Sequence, residues 1–416
     1  MPPSSMSYAA IANGLKVQYP DGFEPALYDE SDIFKWIPKD PSYSGSSRQY
    51  NPIIDGSQGS NVFGDALNYR GSPTLPKFNV THVRRFGIGS IDNEAVLASR
   101  DKKGALAEMT KIQVDSVLYG FARAGAQQLV GGAGGGAKAL TKATGWTVGG
   151  TTIALNDIKD HIWFEKGQVL QSATTDGTTG SVNPGHVTVA GVARDTGILT
   201  LTAAANAGIP TIAVSDYLFG IGDFGTSLSG VLAWIPPTAP GATSFFGVDR
   251  TQDLARLSGT RTGATGPIED QIGHALTLLH ENGGKCDTLW MHTRRGWELQ
   301  QSIHGKTVYG AGGVQVAARN MDGKASTKIF LTGFVFQGPK GPVTVLTDPG
   351  FPYAYAWGCR REDWELFSMG PAPHFDLGNG GKFFIETSAP AKQFRMEAFW
   401  QLGCKKPVNN VMHTFA

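Results

Sequence analysis

The sequence predicts an α+β chain of several parts, and three observations carry that expectation. Residues 99–130 (SRDKKGALAEMTKIQVDSVLYGFARAGAQQLV) have helical spacing and end in a glycine run. Residues 146 to about 225 read as almost pure β. A mixed αβα segment then gives way to returning strands.

At 416 residues the chain is long enough for two or three domains and a sizeable core. Its 36 basic and 35 acidic residues nearly cancel, so no global charge recruits nucleic acid or an anionic membrane. The 55 glycines imply many turns, and the 10% aromatic content argues against disorder. Cys286, Cys359 and Cys404 include no CxxC pair, which speaks against zinc sites and a disulfide framework and for a reducing cytoplasm. The opening MPPSSMSYAAIANGLKVQYPDGF lacks a basic region followed by an apolar core, so no secretory signal is expected. No run approaches the roughly 18 apolar residues of a membrane span, so no membrane partner is expected. The sequon Asn79-Val80-Thr81 then reads as chance.

Residues 1–65 are polar and rich in Pro, Ser, Gly and Tyr, with scattered anchors Tyr28, Phe34, Trp36, Ile37, Tyr50 and Ile53. They read as an extended arm ordered on other surfaces. Residues 66–92 form a loop whose mixed alternation, Phe78 to Phe86, suits a half-buried strand. Pro73 and Pro76 confine it to an edge or a protruding hairpin. In the long helix, Leu106, Met109, Val117, Phe121 and Ala124 share one face. It spans about 45 Å and stops at the glycines of 131–136, with a linker to residue 145. Gly120 and Gly125 each weaken it by about 1 kcal/mol relative to alanine and are the expected points of bending.

The β-rich part, 146–226, is expected to be an inserted barrel or small sandwich. Its clearest unit is the hairpin Val187–Ala193, turn Arg194–Gly197, Ile198–Thr202. A strand pair at 161–170 broken at Gly167, and strands at 211–214 and 217–219, complete it. In 227–332, Pro267 opens a helix with Ile268, Ile272, Leu276 and Leu279 on one face. A buried strand 287–292 and a short helix from about Thr293 to Ile303 follow. From Lys328 the chain returns to β: 329–332, 334–336, 342–346, 364–367 and a closing strand 393–402.

Motifs for chemistry fail one by one. GGAGGGAKALT places Lys138 two residues after Gly136, with no apolar strand before it, so it is not a phosphate loop. His274 and His280 stand about 240° apart on a helix and cannot share a metal. No GxSxG elbow occurs, Cys286 adjoins a buried strand, and Glu362 and Asp363 would face opposite ways. Glycosidase chemistry needs two carboxylates converging in a cleft, which sequence spacing does not reveal. Basic residues do not interleave with aromatics as a single-strand groove requires. No catalytic residue, cofactor or metal is assigned.

The order of parts and two stretches carry a resemblance. GPVTVLTDPGFPYAYAWGCRREDWELFSMGPAP (341–373) and GGKCDTLWMHTRRGWELQQSI (283–303) are similar to the C-terminal third of the major capsid proteins of tailed double-stranded DNA bacteriophages. The whole chain resembles their Hong Kong 97-type fold: N-terminal arm, extended loop, long spine helix, axial domain, and closing strands returning to the peripheral domain. The resemblance implies 93–145 as spine helix and linker of the peripheral domain, 227–332 as axial domain, and 333–416 as closing strands of both. The family's founding member has a long, charged, helical N-terminal scaffolding segment that is not seen here, which implies a separate scaffolding protein or a processed leader. Its lysine–asparagine cross-link is not carried over: Lys77 lies in the matching loop, but no acceptor is identified.

The implied function is a non-enzymatic virion protein that self-assembles, in the bacterial cytoplasm, into hexamers and pentamers of an icosahedral shell. Implied partners are further copies, scaffolding, portal and decoration proteins, and packaged DNA held non-specifically. Lys77, Arg84, Arg85 and Trp36 are the candidate inter-subunit contacts. Three rivals stand beside it: a carbohydrate-binding or polysaccharide-acting β-protein, a tail-tube protein, and an encapsulin. Monomers with glycan affinity, rings or tubes, and a neighbouring cargo gene would respectively mark them.

Overall fold

The computed structural model describes residues 31–42, 47–52, 59–71, 74–92, 103–130, 134–141, 148–305, 334–370, 373–376, 384–385 and 391–415. The expected anchors Tyr28 and Ile53 and the expected strand 329–332 lie outside them. In chain order come α1 (Asp32–Trp36), β1 (Lys39–Asp40), β2 (Arg48–Tyr50), α2 (Phe63–Asn68), β3 (Phe78–Val80), β4 (Val83–Asp92) and α3 (Lys103–Val130). Then follow β5 (Ala139–Leu140), β6 (Thr152–Ala154), β7 (Val169–Ala173), β8 (Val187–Ala193), β9 (Ile198–Leu201) and β10 (Tyr217–Gly220). Next are β11 (Thr260–Ala264), α4 (Ile268–Glu281), β12 (Thr288–His292), α5 (Thr293–Gly305), β13 (Phe334–Gly338), β14 (Gly341–Asp348) and β15 (Tyr355–Cys359). The last elements are β16 (Trp364–Ser368), β17 (His374–Phe375), β18 (Phe384–Ile385), β19 (Ala391–Cys404) and β20 (Val411–Phe415).

The first sheet is organised by β19. β4 pairs antiparallel along it from Asp92↔Ala391 to Val83↔Trp400, while β16, β17 and β18 follow one another as its other partners. β4 is thus an edge strand, as its prolines suggested, but the expected strand is interrupted at Thr81-His82: Phe78–Val80 pairs separately with β2. The strand is half-buried, as expected, with one face toward solvent and the other toward the core. Phe86 and Ile88 point to solvent, 62% and 56% exposed. The inward positions are glycines, because α3 and Phe394 come too close for a side chain. A Cβ on Gly87 would lie 2.3 Å from Phe121 and 2.8 Å from Val117; one on Gly89 would lie 2.2 Å from Phe394.

At about 1.5 Å per residue the 28 residues of α3 span about 42 Å. Phe121 and Ala124 are buried and Val117 packs on the core, as the spacing predicted; the side chains of Leu106 and Met109 lie outside the described ones. The two glycines part company. Gly120 faces open space, whereas a Cβ on Gly125 would meet Trp400 at 3.0 Å and Phe34 at 3.1 Å. Gly125 is therefore a place where two rings cross the helix.

The second sheet runs β5-β10-β7-β8-β9-β6. An antiparallel bridge from Thr141 to Leu155, with Asn156 N donating to Leu140 O at 2.9 Å, joins its two ends, so the sheet closes into a six-stranded barrel. Ile153, Leu170, Val189, Leu199 and Leu218 are buried. The hairpin of β8 and β9 is as expected, with Gly197 at φ +68° in its turn. Two expectations fail. Residues 158–163 form a 3₁₀-helix, because Asp157 accepts from Lys159 N and starts a turn where alternation suggested a strand. Residues 211–214 are turn, closed by Asp216 accepting from Ala213 N. The barrel also begins before residue 146, with β5.

The third sheet runs β11-β20-β15-β12-β14-β13, mixing parallel and antiparallel pairs. α4 and α5 cover one face, where Ile268, Ile272 and Leu276 meet Leu289, Met291, Val343 and Phe415. On the other face Trp290 and Trp357 join the main core. There buried Asn410 accepts from both Trp357 (3.2 Å) and Trp364 (2.8 Å) and donates to the carbonyls of Lys406 and Pro407.

Candidate functional site

The four residues singled out from sequence do not converge. Lys77 and Arg84 are exposed and have no ion-pair partner among the described residues. Arg85 and Trp36 make contacts within their own chain. Strand alternation puts Arg85 opposite Arg84 and delivers it to Asp223, 3.1 Å away. Trp36 is held edge-on by Trp290 (5.6 Å) and Trp357 (6.2 Å), because α1 tucks against the core.

Two buried carboxylates fasten this first described stretch. Asp348 accepts from Ser31 Oγ (2.6 Å), Ile33 N (3.2 Å) and Gly350 N (2.6 Å). Glu365 accepts from Tyr50 Oη (2.5 Å), Arg48 Nε (2.8 Å) and Lys405 Nζ (2.7 Å). Neither was singled out from sequence. The signal present was an acid set inside an otherwise apolar block, Asp348 before Pro349-Gly350-Phe351 and Glu365 between Trp364 and Leu366.

The most developed cleft, about 460 Å³, lies between β4, α3 and the barrel. Its floor holds Lys138, Arg85, Asp223, Arg123, Glu165, Gln127 and Gln168; Phe86, Ile88 and Ile221 form its apolar rim. Arg123 pairs with Glu165 and donates to the Ile162 carbonyl. The Lys138 ammonium makes no hydrogen bond among the described residues, while its backbone N donates to the Leu218 carbonyl. Burial lowers the ammonium to about 8, partly offset by Asp223 and reinforced by Arg85 and Arg123. Gln127 Oε1 and Gln168 Oε1 are buried acceptors without a hydrogen-bond partner among the described residues.

Glycines shape this wall. A Cβ on Gly220 would lie 2.5 Å from the Asp223 carboxylate, and one on Gly136 (φ +87°) 2.3 Å from the Asp223 carbonyl. Gly135 and Gly136 after α3 thus serve close backbone packing.

A neighbouring space of about 300 Å³ shares Lys138 and Trp163 with the cleft. Beside it, Lys159 Nζ stands 3.4 Å from the centre of the Tyr353 ring and the Arg295 guanidinium 4.0 Å, while Tyr353 Oη donates to Glu298 (2.5 Å). Burial and the nearby Asp157 push Asp160 up to about 7; burial and the cations Lys159 and Arg294 hold His292 down to about 4. Chemically these spaces offer charge and apolar contact for another surface. Burial raises all three thiols, so none is a ready nucleophile. Among the described residues no group of three or more His, Cys, Asp or Glu is placed to hold a metal ion. None of their helices is long and apolar enough to cross a membrane.

No protein-family model matches the sequence, and no curated protein does. Solved structures do match in fold. A chain of the cyanophage A-1(L) capsid asymmetric unit superposes with a TM-score of 0.55 at 8% identity, over 98% of both chains. Chains from the capsids of empty and native GTA particles give TM-scores of 0.49 and 0.48 at 10% and 9% identity, over 99–100% of each chain. The chain therefore has the fold of a phage capsid chain over its whole length, the Hong Kong 97-type fold that its sequence resembles.

Proposed function

We propose that this protein is a major capsid subunit that self-assembles into hexamers and pentamers of an icosahedral shell enclosing packaged phage DNA. The observation that carries the reading is the likeness to the cyanophage A-1(L) capsid chain, which leaves almost no part of either chain unmatched. A shell subunit needs extensive surfaces, and apolar side chains exposed at Val62, Phe63, Leu67, Tyr69, Phe86 and Ile88 support that role.

In this reading residues 1–65 are the arm and 66–92 the extended loop. The peripheral domain takes 93–145, the barrel of 146–226 (with β5) is the inserted domain, 227–332 are axial, and 333–416 close both domains. Arm and loop spread contacts over areas above the ~1,600 Å² of a standard interface. Lys77 and Arg84 are the residues offered for ion pairs with a neighbour, each weak alone and repeated many times in a shell. A net charge of +1 suits an inner wall that does not grip DNA tightly. Scaffolding, portal and decoration proteins would complete a virion assembled in the host cytoplasm.

Electron microscopy of the purified chain, expressed with a candidate scaffold, tests this. Closed shells are expected. A monodisperse monomer under all assembly conditions, or open tubes, would overturn the reading.

A further inference from the structure

The helix α2 packs against nothing in its own subunit that buries any of its residues. Around it Phe63 is 82% exposed, Tyr69 70%, Val62 58% and Leu67 50%. Its one charged residue, Asp65, has no side-chain partner among the described residues. An isolated apolar turn of this kind is unstable in water by itself and calls for a second surface. The cleft above Lys138 has the opposite set of needs: a lysine ammonium without a hydrogen-bond partner among the described residues at its floor, and the exposed apolar rim Phe86, Ile88 and Ile221.

We propose that the cleft floored by Lys138 is the seat of helix α2 from a second copy of this chain, with Asp65 reaching Lys138 and Phe63 and Leu67 covering the rim. This rests on the assembly reading above. The occupant follows from complementarity in both charge and apolarity, which the chain carries on two separate surfaces. A patch that binds a different patch of the next copy makes a head-to-tail contact, and such contacts close into rings, as capsomers require. Burying the pair removes a carboxylate and an ammonium from water together, so each compensates the other's desolvation. Gln127 and Gln168 line the same space.

The test uses full-length chain in a one-to-one mixture of ¹⁴N- and ¹⁵N-labelled subunits, assembled and treated with a water-soluble carbodiimide. That reagent condenses a carboxylate and an amine in contact into an amide. Mass spectrometry should find Asp65–Lys138 peptides of mixed isotope. In parallel, Asp65→Lys, which alters only an exposed side chain, should lower particle yield at least tenfold. Assembled shells without the mixed cross-link, and with full yield from Asp65→Lys, overturn the docking and leave the assembly reading standing. A wild-type chain that never assembles overturns the assembly reading itself.

Discussion

Replacing Gly125 and Gly120 by alanine separates packing from propensity within one helix. Both changes add a methyl to α3 and raise helix propensity by about 1 kcal/mol. At Gly120 the methyl meets nothing within 4 Å, so Gly120→Ala should stabilise the subunit by nearly that amount. At Gly125 it arrives 3.0 Å and 3.3 Å from Trp400 and 3.1 Å from Phe34. Neither ring has room to give: Trp400 is 1% and Phe34 7% exposed, and the two are locked edge-to-face at 5.9 Å. Overpacking of this kind costs about 1–3 kcal/mol, and the propensity gain offsets about 1 of it. Gly125→Ala should therefore come out destabilised by up to about 2 kcal/mol, and the double variant close to wild type. Thermal melts of the unassembled subunit, followed by tryptophan fluorescence, read this directly, with a fall on the order of 2 °C for Gly125→Ala. If Gly125→Ala and Gly120→Ala stabilise equally, the crossing of Trp400 over the helix is not tight.

Three further outcomes follow from buried groups. Asp348→Ala removes the acceptor for three donors, two of them in the first described turn; a loss of about 3 kcal/mol is expected, with new protease cleavage between residues 31 and 41, and unchanged cleavage would show that the carboxylate is not what fastens α1. Asp160, pushed up to about 7, has a folded value above its unfolded one, so its contribution to stability is complete below about pH 4 and is lost as the pH rises to 7. The melting temperature of wild type relative to Asp160→Asn should fall across that window and level off above it; a flat difference refutes the assignment. Alkylation with iodoacetamide at pH 8 should leave all three cysteines untouched in the native subunit and label them on unfolding, since burial holds Cys286 up to about 12 and Cys359 and Cys404 well above the ordinary thiol value. Rapid labelling of native protein would refute it.

Periodicity placed the elements with a regular apolar pattern of their own: α3, α4, α5, the hairpin of β8 and β9, and the buried strands β12 and β16. It misread places where one side chain overrides the pattern. Asp157 turns an alternating stretch into a 3₁₀-helix, and the tight turn closed by Asp216 does the same to 211–214. It also had no access to contacts made across hundreds of residues. The glycines of β4 look like a weak strand until α3 and Phe394 are placed over them, and the packing need at Gly125 is unseen until Trp400 is laid across it. Among the candidate contacts, Arg84 and Arg85 were legible as a pair; which of them faces Asp223 depends on a register set by β19. The cleft around Lys138 was hidden for the same reason, since its walls come from five separate stretches of chain.

The position of β19 and β20 has a consequence in time. β19 is the strand on which β4, β16, β17 and β18 all pair, and β20 stands between β11 and β15. Two of the three large sheets are therefore completed only by residues 391–415. At about 5–20 residues per second, residues 1–390 take roughly 20–80 s to be synthesised. From the completion of β4 at Asp92 to the start of β19, about 300 residues or roughly 15–60 s of that time, β4 has no strand to pair with, and Phe86 and Ile88 stand beside an open edge. The barrel, whose strands are all available by residue 220, can close early. The rest must wait, with high contact order and slow pairing once the last strand arrives. Nascent subunits thus expose, for tens of seconds, the kind of surface that chaperones hold.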